Sequence, residues 1–326
     1  MKKIPIFLTG ICLALSANVA ALASTADAYP EKQVRLVVPY PPGGFNDTLA
    51  RTASEFLTKK WGKAVVVENR PGGNTLIGNS TVAKADPDGY TLLITPLPFS
   101  ALPGLYRDKM PYDAVKNFEP VIWAGSTQNI LTVRADSPFK DVKSLIEHAR
   151  KHPGEINYGS TGSGSSNHLS MELFLDMTKT KMTHIPYKGS APAVTALLAG
   201  DIDVLFDNLP NVYPNIKADK LTALAATGTN RAPLLPDVPT VAEAGVPGYE
   251  VTVWFGMQAP AGTPKEVVAK INKDLVEMLR QPSIVEKFGS QGVEIVASSP
   301  ERFKALVASE VAKWTGVIDR AGIKIE

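Results

Sequence analysis

Pro39-Tyr40-Pro41-Pro42-Gly43-Gly44-Phe45-Asn46-Asp47 is the stretch on which the reading of this chain turns. Before it stands Val34-Arg35-Leu36-Val37-Val38, an apolar run of strand length. After it, residues 46–60 repeat apolar side chains at helical spacing. Strand, Pro/Gly turn and helix in that order open a parallel β-α-β unit. Gly43 and Gly44 permit positive φ and a close approach of backbone to a ligand. The helix start presents unpaired N–H groups and partial positive charge, which suit an anion. Asn46 or Asp47 is the natural N-cap. Taken alone, the loop reads more simply as a capped turn that binds nothing.

The same order recurs outward. Residues 65–67 predict a second strand, the Gly-rich loop 69–74 leads into a helix ending near Lys84, and 91–95 predict a third strand. After Trp123 the pattern restarts: strand 131–134, helix 142–151, strand 156–158, Gly/Ser loop 159–166, and a helix to Met177. Strand 183–185, helix 191–199 and strand 203–206 follow. An apolar run at 251–257 then precedes helices at 265–279, 282–288 and 300–317. This predicts an α/β chain of two lobes, each a mainly parallel sheet flanked by helices. Strand-like crossovers are expected near 125–130 and 248–253. The expected division is 29–127 with 250–326 as lobe 1 and 128–249 as lobe 2. Ligands of such sheets sit outside the carboxyl ends of the strands, which directs attention to the loops.

The loop Asn157-Tyr158-Gly159-Ser160-Thr161-Gly162-Ser163-Gly164-Ser165-Ser166-Asn167-His168 holds the place in the second lobe that 39–47 holds in the first. Gly159 and Gly164 match the outer glycines of a P-loop. Ser165 stands where that motif requires lysine, which argues against a nucleotide phosphate. Hydroxyls and amides suit a carboxylate. Tyr187-Lys188-Gly189-Ser190 and Asp207-Asn208 also follow second-lobe strands. Lys188 is either an anion partner or solvated, and Asp207 either a ligand acceptor or a cap.

Composition limits the partners. The chain has 326 residues, 44% hydrophobic, with a formal net charge of +2. That size suits two lobes, and the charge gives no general attraction to nucleic acid or acidic membranes. Lys2, Lys3, the apolar stretch 4–23 and the small-residue sites at Ala21-Leu22-Ala23 and Ala26-Asp27-Ala28 predict a cleaved secretory signal over 1–28, cut after Ala23 or Ala28. Export to the periplasm follows. The single cysteine, Cys12, lies in that leader, behind Ile11 and not behind the small residue a lipoprotein needs. The remainder has no thiol chemistry.

Eight blocks then add up to a family. They are Tyr29-Pro30; Pro41-Pro42-Gly43-Gly44-Phe45-Asn46-Asp47 with Ala50-Arg51; Val67-Glu68-Asn69-Arg70-Pro71-Gly72-Gly73; Asp86-Pro87-Asp88-Gly89-Tyr90-Thr91-Leu92-Leu93; Ile185-Pro186-Tyr187-Lys188-Gly189; Gly200-Asp201-Ile202-Asp203; Leu235-Pro236-Asp237-Val238-Pro239-Thr240; and Ala259-Pro260-Ala261-Gly262-Thr263-Pro264. Together they resemble the tripartite tricarboxylate transporter substrate-binding family (Bug-type, TctC-like) over essentially all of the chain beyond the leader. The resemblance implies a type II periplasmic-binding-protein fold with a hinged cleft. It implies a small organic carboxylate as ligand, a membrane permease as partner, no cofactor and no catalysis, with the chain acting as a monomer. An aromatic acid, an aliphatic acid and an amino acid all remain open as ligand, and sensing with a signalling partner is the alternative role. Carried over by position, the ligand contacts are Gly43, Gly44, Phe45, Asn46 and Asp47 in the first lobe, and Ser160, Thr161, Ser165 and His168 in the second, with Tyr187 and Asp207 nearby. The segment Pro96-Leu97-Pro98-Phe99-Ser100, read as a loop after the third strand, departs from the family pattern in lacking polar residues. Phe99 is its expected ligand contact.

Enzyme chemistry finds little support. The 159–166 loop lacks the G-x-S-x-G spacing of a serine hydrolase elbow. His148 and His152 stand four apart, as a metal pair would, but beside Glu147, Arg150 and Lys151 they read as a solvated helix face and no metal site is expected. His184 reads as structural.

Overall fold

The computed structural model describes residues 28–323. The expected leader, but for Ala28, lies outside them.

The first sheet collects β1 (Val34–Val38), β2 (Val65–Asn69), β3 (Thr91–Pro96), β4 (Phe118–Thr127), β10 (Val253–Pro260) and β11 (Glu294–Ile295), in the order β11-β4-β10-β3-β1-β2. The second collects β5 (Asn129–Arg134), β6 (Asn157–Ser160), β7 (Thr183–Pro186), β8 (Val204–Asn208) and β9 (Leu221–Ala226), in the order β7-β6-β8-β5-β9. Helices α1 (Phe45–Trp61), α2 (Leu76–Ala83) and α3 (Pro98–Tyr106) join the early strands. α4 (Val142–Lys151), α5 (Ser166–Thr178), α6 (Ser190–Ala199) and α7 (Leu209–Lys217) belong with the second sheet. α8 (Lys265–Leu279), α9 (Pro282–Gly289) and α10 (Pro300–Ala321) follow β10. Among the named strands, parallel pairing is confined to β1 with β2 and β3, and to β6 with β7 and β8. The strands that carry the chain between sheets run antiparallel to their neighbours. Each sheet is therefore mixed, which corrects the expectation of mainly parallel sheets: only the β-α-β stretches impose parallel order.

The chain passes between the sheets at Gln128 and again between Ala226 and Val253. These passages are laced together. Asn129 N–H donates to Thr227 Oγ1 at 3.0 Å, that hydroxyl donates to the Val251 carbonyl at 2.7 Å, and Val251 N–H returns a bond to the Thr227 carbonyl at 2.9 Å. Thr227 is fully buried, so its hydroxyl fills both its roles away from water.

The alternation of β1 divides the core. Leu36 and Val38 face a cluster with Leu49, Leu57, Ile271 and Met278 of α1 and α8. Val37 faces the other side, where Leu93, Leu102 and Trp314 lead without a break into Tyr158 and Phe206 of the second sheet and Phe174 of α5 upon it. A shared core makes these lobes closely coupled bodies. α10 supplies much of the link. Ser299 caps it by accepting from Arg302 N–H at 3.3 Å, and Gly322 ends it in the left-handed region at φ 65°. It packs on α3 and α5. The segment read as a loop at 96–100 is in fact the end of β3 and the start of α3. Pro98 occupies the helix's first turn, where its missing N–H costs nothing, and Pro103 is accommodated inside the helix.

Candidate functional site

The loop after β1 holds its shape through Asp47. That residue is the third of α1, and the N-cap is Gly44, in extended conformation at φ −89° and ψ 174°. The expected cap at Asn46 or Asp47 is thus displaced by two or three residues. The physical reason is that Asp47 reaches back: its Oδ2 accepts from Gly43 N–H at 3.2 Å and from Arg51 Nε at 2.8 Å, and its Oδ1 from Arg51 Nη2 at 3.1 Å and Asn69 Nδ2 at 3.0 Å. Burial works against the Asp47 carboxylate, but these donors together outweigh it and hold its pKa below the ordinary value. Asp47 therefore holds the loop together through four hydrogen bonds. Of the two glycines, Gly43 carries the positive φ, 103°. Phe45 lies between Phe255 and Phe288, at ring distances of 4.6 and 5.0 Å. The bonds of the helix begin with Asp47 and Thr48 N–H, both on the Gly44 carbonyl at 3.1 Å, so the N–H groups of Phe45 and Asn46 stand before the first of them. The amide Oδ1 of Asn46 is buried without a hydrogen-bond partner among the described residues.

A second, adjacent loop was not assigned to the site from sequence. Asn69 Nδ2 donates to the Tyr40 carbonyl at 3.1 Å, which ties the loop after β2 to the loop after β1. That loop ends in Asn74 and Thr75, both at positive φ, 51° and 76°. A β-branched residue there is a genuine outlier, and such strain costs about 1–3 kcal/mol and gathers at functional sites. Asn79 fixes it, bonding Thr75 Oγ1 at 3.1 Å and Tyr112 Oη at 2.9 Å. Asn74 Nδ2 is again buried and has no hydrogen-bond partner among the described residues.

The second-lobe loop meets this one. A Cβ placed on Gly164, at φ 80°, would lie 2.5 Å from Leu105 Cδ1 and closer still to Asn74 Nδ2. Glycine is therefore required here by conformation and by contact across the lobes. Ser165 caps α5, its Oγ accepting from His168 N–H at 3.3 Å; its own hydroxyl proton remains free to donate. Thr161 Oγ1 donates to Asn167 Oδ1 at 2.7 Å. Ser160 is fully buried, its Oγ against His184 Nε2 at 2.6 Å and accepting from Gly162 N–H at 3.0 Å.

Several expected contacts are also engaged within the protein. His168 Nδ1 accepts from Gly164 N–H at 3.1 Å, which leaves the proton on Nε2, facing Glu172 at 3.7 Å. Burial, then the neighbouring His184, depresses its pKa to about 3, so it stays neutral. Asp207 is buried and bonded by Ser190, Asn167, Asn211 and Asn208 N–H. Burial raises its pKa, against the pull of those donors. Tyr187 is half-buried against the cluster of Leu197 and Leu205, its N–H on the Ser160 carbonyl at 2.9 Å. Phe99 is a correction: it is fully buried in a trio with Tyr112 and Phe118, because α3 turns it inward. The exposed Lys188 stands apart.

Set against known proteins, residues 49–323 match the tripartite tricarboxylate transporter family receptor. The chain belongs to that receptor family. Protein BugT of Bordetella pertussis is 35% identical over 97% of each chain. The solved structure of Rhodopseudomonas palustris Rpa4515 with adipate has 40% identity and a TM-score of 0.84, covering 91% of this chain and 100% of that one. MatC from the same organism, with bound malate, has 32% identity and a TM-score of 0.82, covering 89% and 100%. These family members share the two-lobed periplasmic-binding-protein fold described above. Among the described residues, no helix is long and apolar enough to cross a membrane.

Proposed function

We propose that this family member is a periplasmic receptor that captures a small organic carboxylate between its lobes and presents it to a tripartite tricarboxylate-type permease. The lobes are 29–127 with 250–326, and 128–249, and export removes the leader. The observation that carries the reading is the juxtaposition of buried amide atoms with glycine-rich helix starts. Asn46 Oδ1 and Asn74 Nδ2 have no partner among the described residues, beside loops that follow β1, β2 and β6. Each unpaired buried group costs about 1–3 kcal/mol. A carboxylic ligand offers acceptors to Asn74 Nδ2, the Ser165 hydroxyl and the helix N–H groups. A hydroxyl or bridging water serves Asn46 Oδ1. The carboxylates named for Rpa4515 and MatC support the same ligand class. No step of this reading is catalytic.

Ser165 gives the test. Alanine there removes both a hydrogen bond to the acid and the α5 cap. Aspartate keeps a cap while setting a negative charge against the anion. Calorimetric titration with adipate and malate is expected to show one acid per chain. Ser165→Ala should weaken binding by about tenfold or more. Ser165→Asp should abolish it with melting temperature held near wild type. Equal affinity in all three proteins would place the ligand elsewhere.

A further inference from the structure

A pair of histidines that reads in the sequence as a solvated helix face acquires a third donor in the fold. His148 lies in the last turn of α4 and His152 is its C-cap, four residues on and on the same face. The chain then turns back through Gly154, at φ 84°, whose N–H donates to the Lys181 carbonyl at 3.0 Å. Glu155 N–H bonds the His152 carbonyl at 3.2 Å. This turn sets the Glu155 carboxylate against both rings, Oε1 at 3.4 Å from His148 Nε2 and Oε2 at 3.2 Å from His152 Nδ1. The donor atoms of all three residues lie within 4.8 Å of one another.

We propose that His148, His152 and Glu155 form a binding site for a divalent late-transition cation of the Zn2+ class. The spacing carries the assignment. Imidazole nitrogen and carboxylate oxygen bind Zn2+ at about 2.0–2.2 Å, so two donors of one tetrahedral ion stand about 3.3–3.5 Å apart. The two contacts of Glu155, one through each carboxylate oxygen, lie near that edge length, and rotation of the carboxylate and of the two imidazoles, whose rings stack at 4.6 Å between centroids, brings one oxygen and two nitrogens to a common ion. The donor set is also chemically selective: two imidazoles with one carboxylate suit Zn2+, Cu2+ or Ni2+ over the all-oxygen cations. Glu155 has no lysine or arginine within ion-pair distance among the described residues. Phe139 packs edge-on to His148 at 5.2 Å and fixes that ring. His148 and Glu155 also border an open cavity of about 340 Å³, which Asn157 and Asp203 share, leaving room for water at the fourth position.

The site sits before β6, and the Gly/Ser loop follows that strand. Four strand residues, or about 13 Å, separate the two. The cation and the carboxylate therefore bind independently, and failure of one leaves the other testable.

The experiment is a ZnCl2 titration of the leader-free chain without a polyhistidine tag, alongside Co2+ absorption spectroscopy. The expected result is one Zn2+ per chain and a low-coordinate Co2+ spectrum that Zn2+ displaces. His152→Gln and Glu155→Gln, both exposed substitutions, should each weaken the metal by at least about tenfold, the loss known for outer-shell changes alone. Their melting temperatures and adipate titrations should match wild type. Absence of a one-to-one isotherm, or wild-type Zn2+ affinity in either variant, overturns the site.

Discussion

Asp47 and His168 illustrate how single residues act here through the loops they hold. Asp47→Ala takes the side-chain acceptor from Gly43 N–H and leaves Asn69 Nδ2 only the Tyr40 carbonyl. A loss of about 0.5–1.5 kcal/mol in chemical denaturation is expected, the range of a hydrogen bond that water can partly replace. His168 gives a pH signature. Below the ordinary imidazole pKa of ~6.5 the unfolded chain takes a proton that the fold refuses until about pH 3. The contribution of neutral His168 is thus complete above pH 6.5 and lost as pH falls toward 3, at no more than about 1.4 kcal/mol per unit. Glu172 and Asp207 act in the opposite sense. Burial raises both, so their contribution is present at low pH and lost as pH rises through the folded values. His168→Gln keeps an acceptor for Gly164 N–H and removes the titration. Its melting temperature should fall less steeply than wild type between pH 6.5 and 4; an unchanged acid limb would refute this account. The sequence made Ser165 and Gly164 legible because a turn before a helix has a local signature. It hid Asn74 and Thr75, since nothing local announces a β-branched residue at positive φ. Only the tie from Asn79 and Tyr112 imposes it.

At the scale of elements, periodicity and glycine turns fixed α1, α4, α8 and most β-α-β strands to within a residue or two. Prolines misled. α3 and α7 each begin with proline in the first turn and carry another inside, Pro103 and Pro214, so both lack the local pattern of a helix. β4, at ten residues, was unread because both its faces are mostly buried and it shows no clean alternation. α3 is held by contact with α10. A Cβ on Gly104 would lie 2.9 Å from Ile318 Cδ1 and 3.0 Å from Thr315 Cα. Gly104→Val must push these helices apart, at about 1–3 kcal/mol. Gly316→Ala, whose Cβ would meet only the end of Arg320 at 3.3 Å, should be neutral or stabilising by up to ~1 kcal/mol. Urea midpoints of the two variants are expected to move in opposite directions, and a neutral Gly104→Val would show that this packing is loose.

For the whole molecule, the described arrangement has the lobes approached, with Gly164 resting on Asn74 and Leu105. Without a ligand this arrangement leaves Asn46 Oδ1 and Asn74 Nδ2 buried and unpaired among the described residues, and withdrawal of Gly164 on opening gives Asn74 to water. A carboxylate that accepts from Asn74 Nδ2 in the closed form, with a hydroxyl or bridging water donating to Asn46 Oδ1, favours closure by its differential affinity. Several such bonds, after ordering costs, are enough for micromolar binding, about −8 kcal/mol. Trp254 is fully buried on Phe303, with its Nε1 on Glu310 at 3.3 Å, so its emission is a weaker reporter than the shape of the molecule. Small-angle scattering of the leader-free chain, free and saturated with whichever of adipate or malate binds tighter by calorimetry, tests capture by closure most directly. A smaller radius of gyration in the saturated sample is the expected result. Superimposable curves at demonstrated saturation would contradict it.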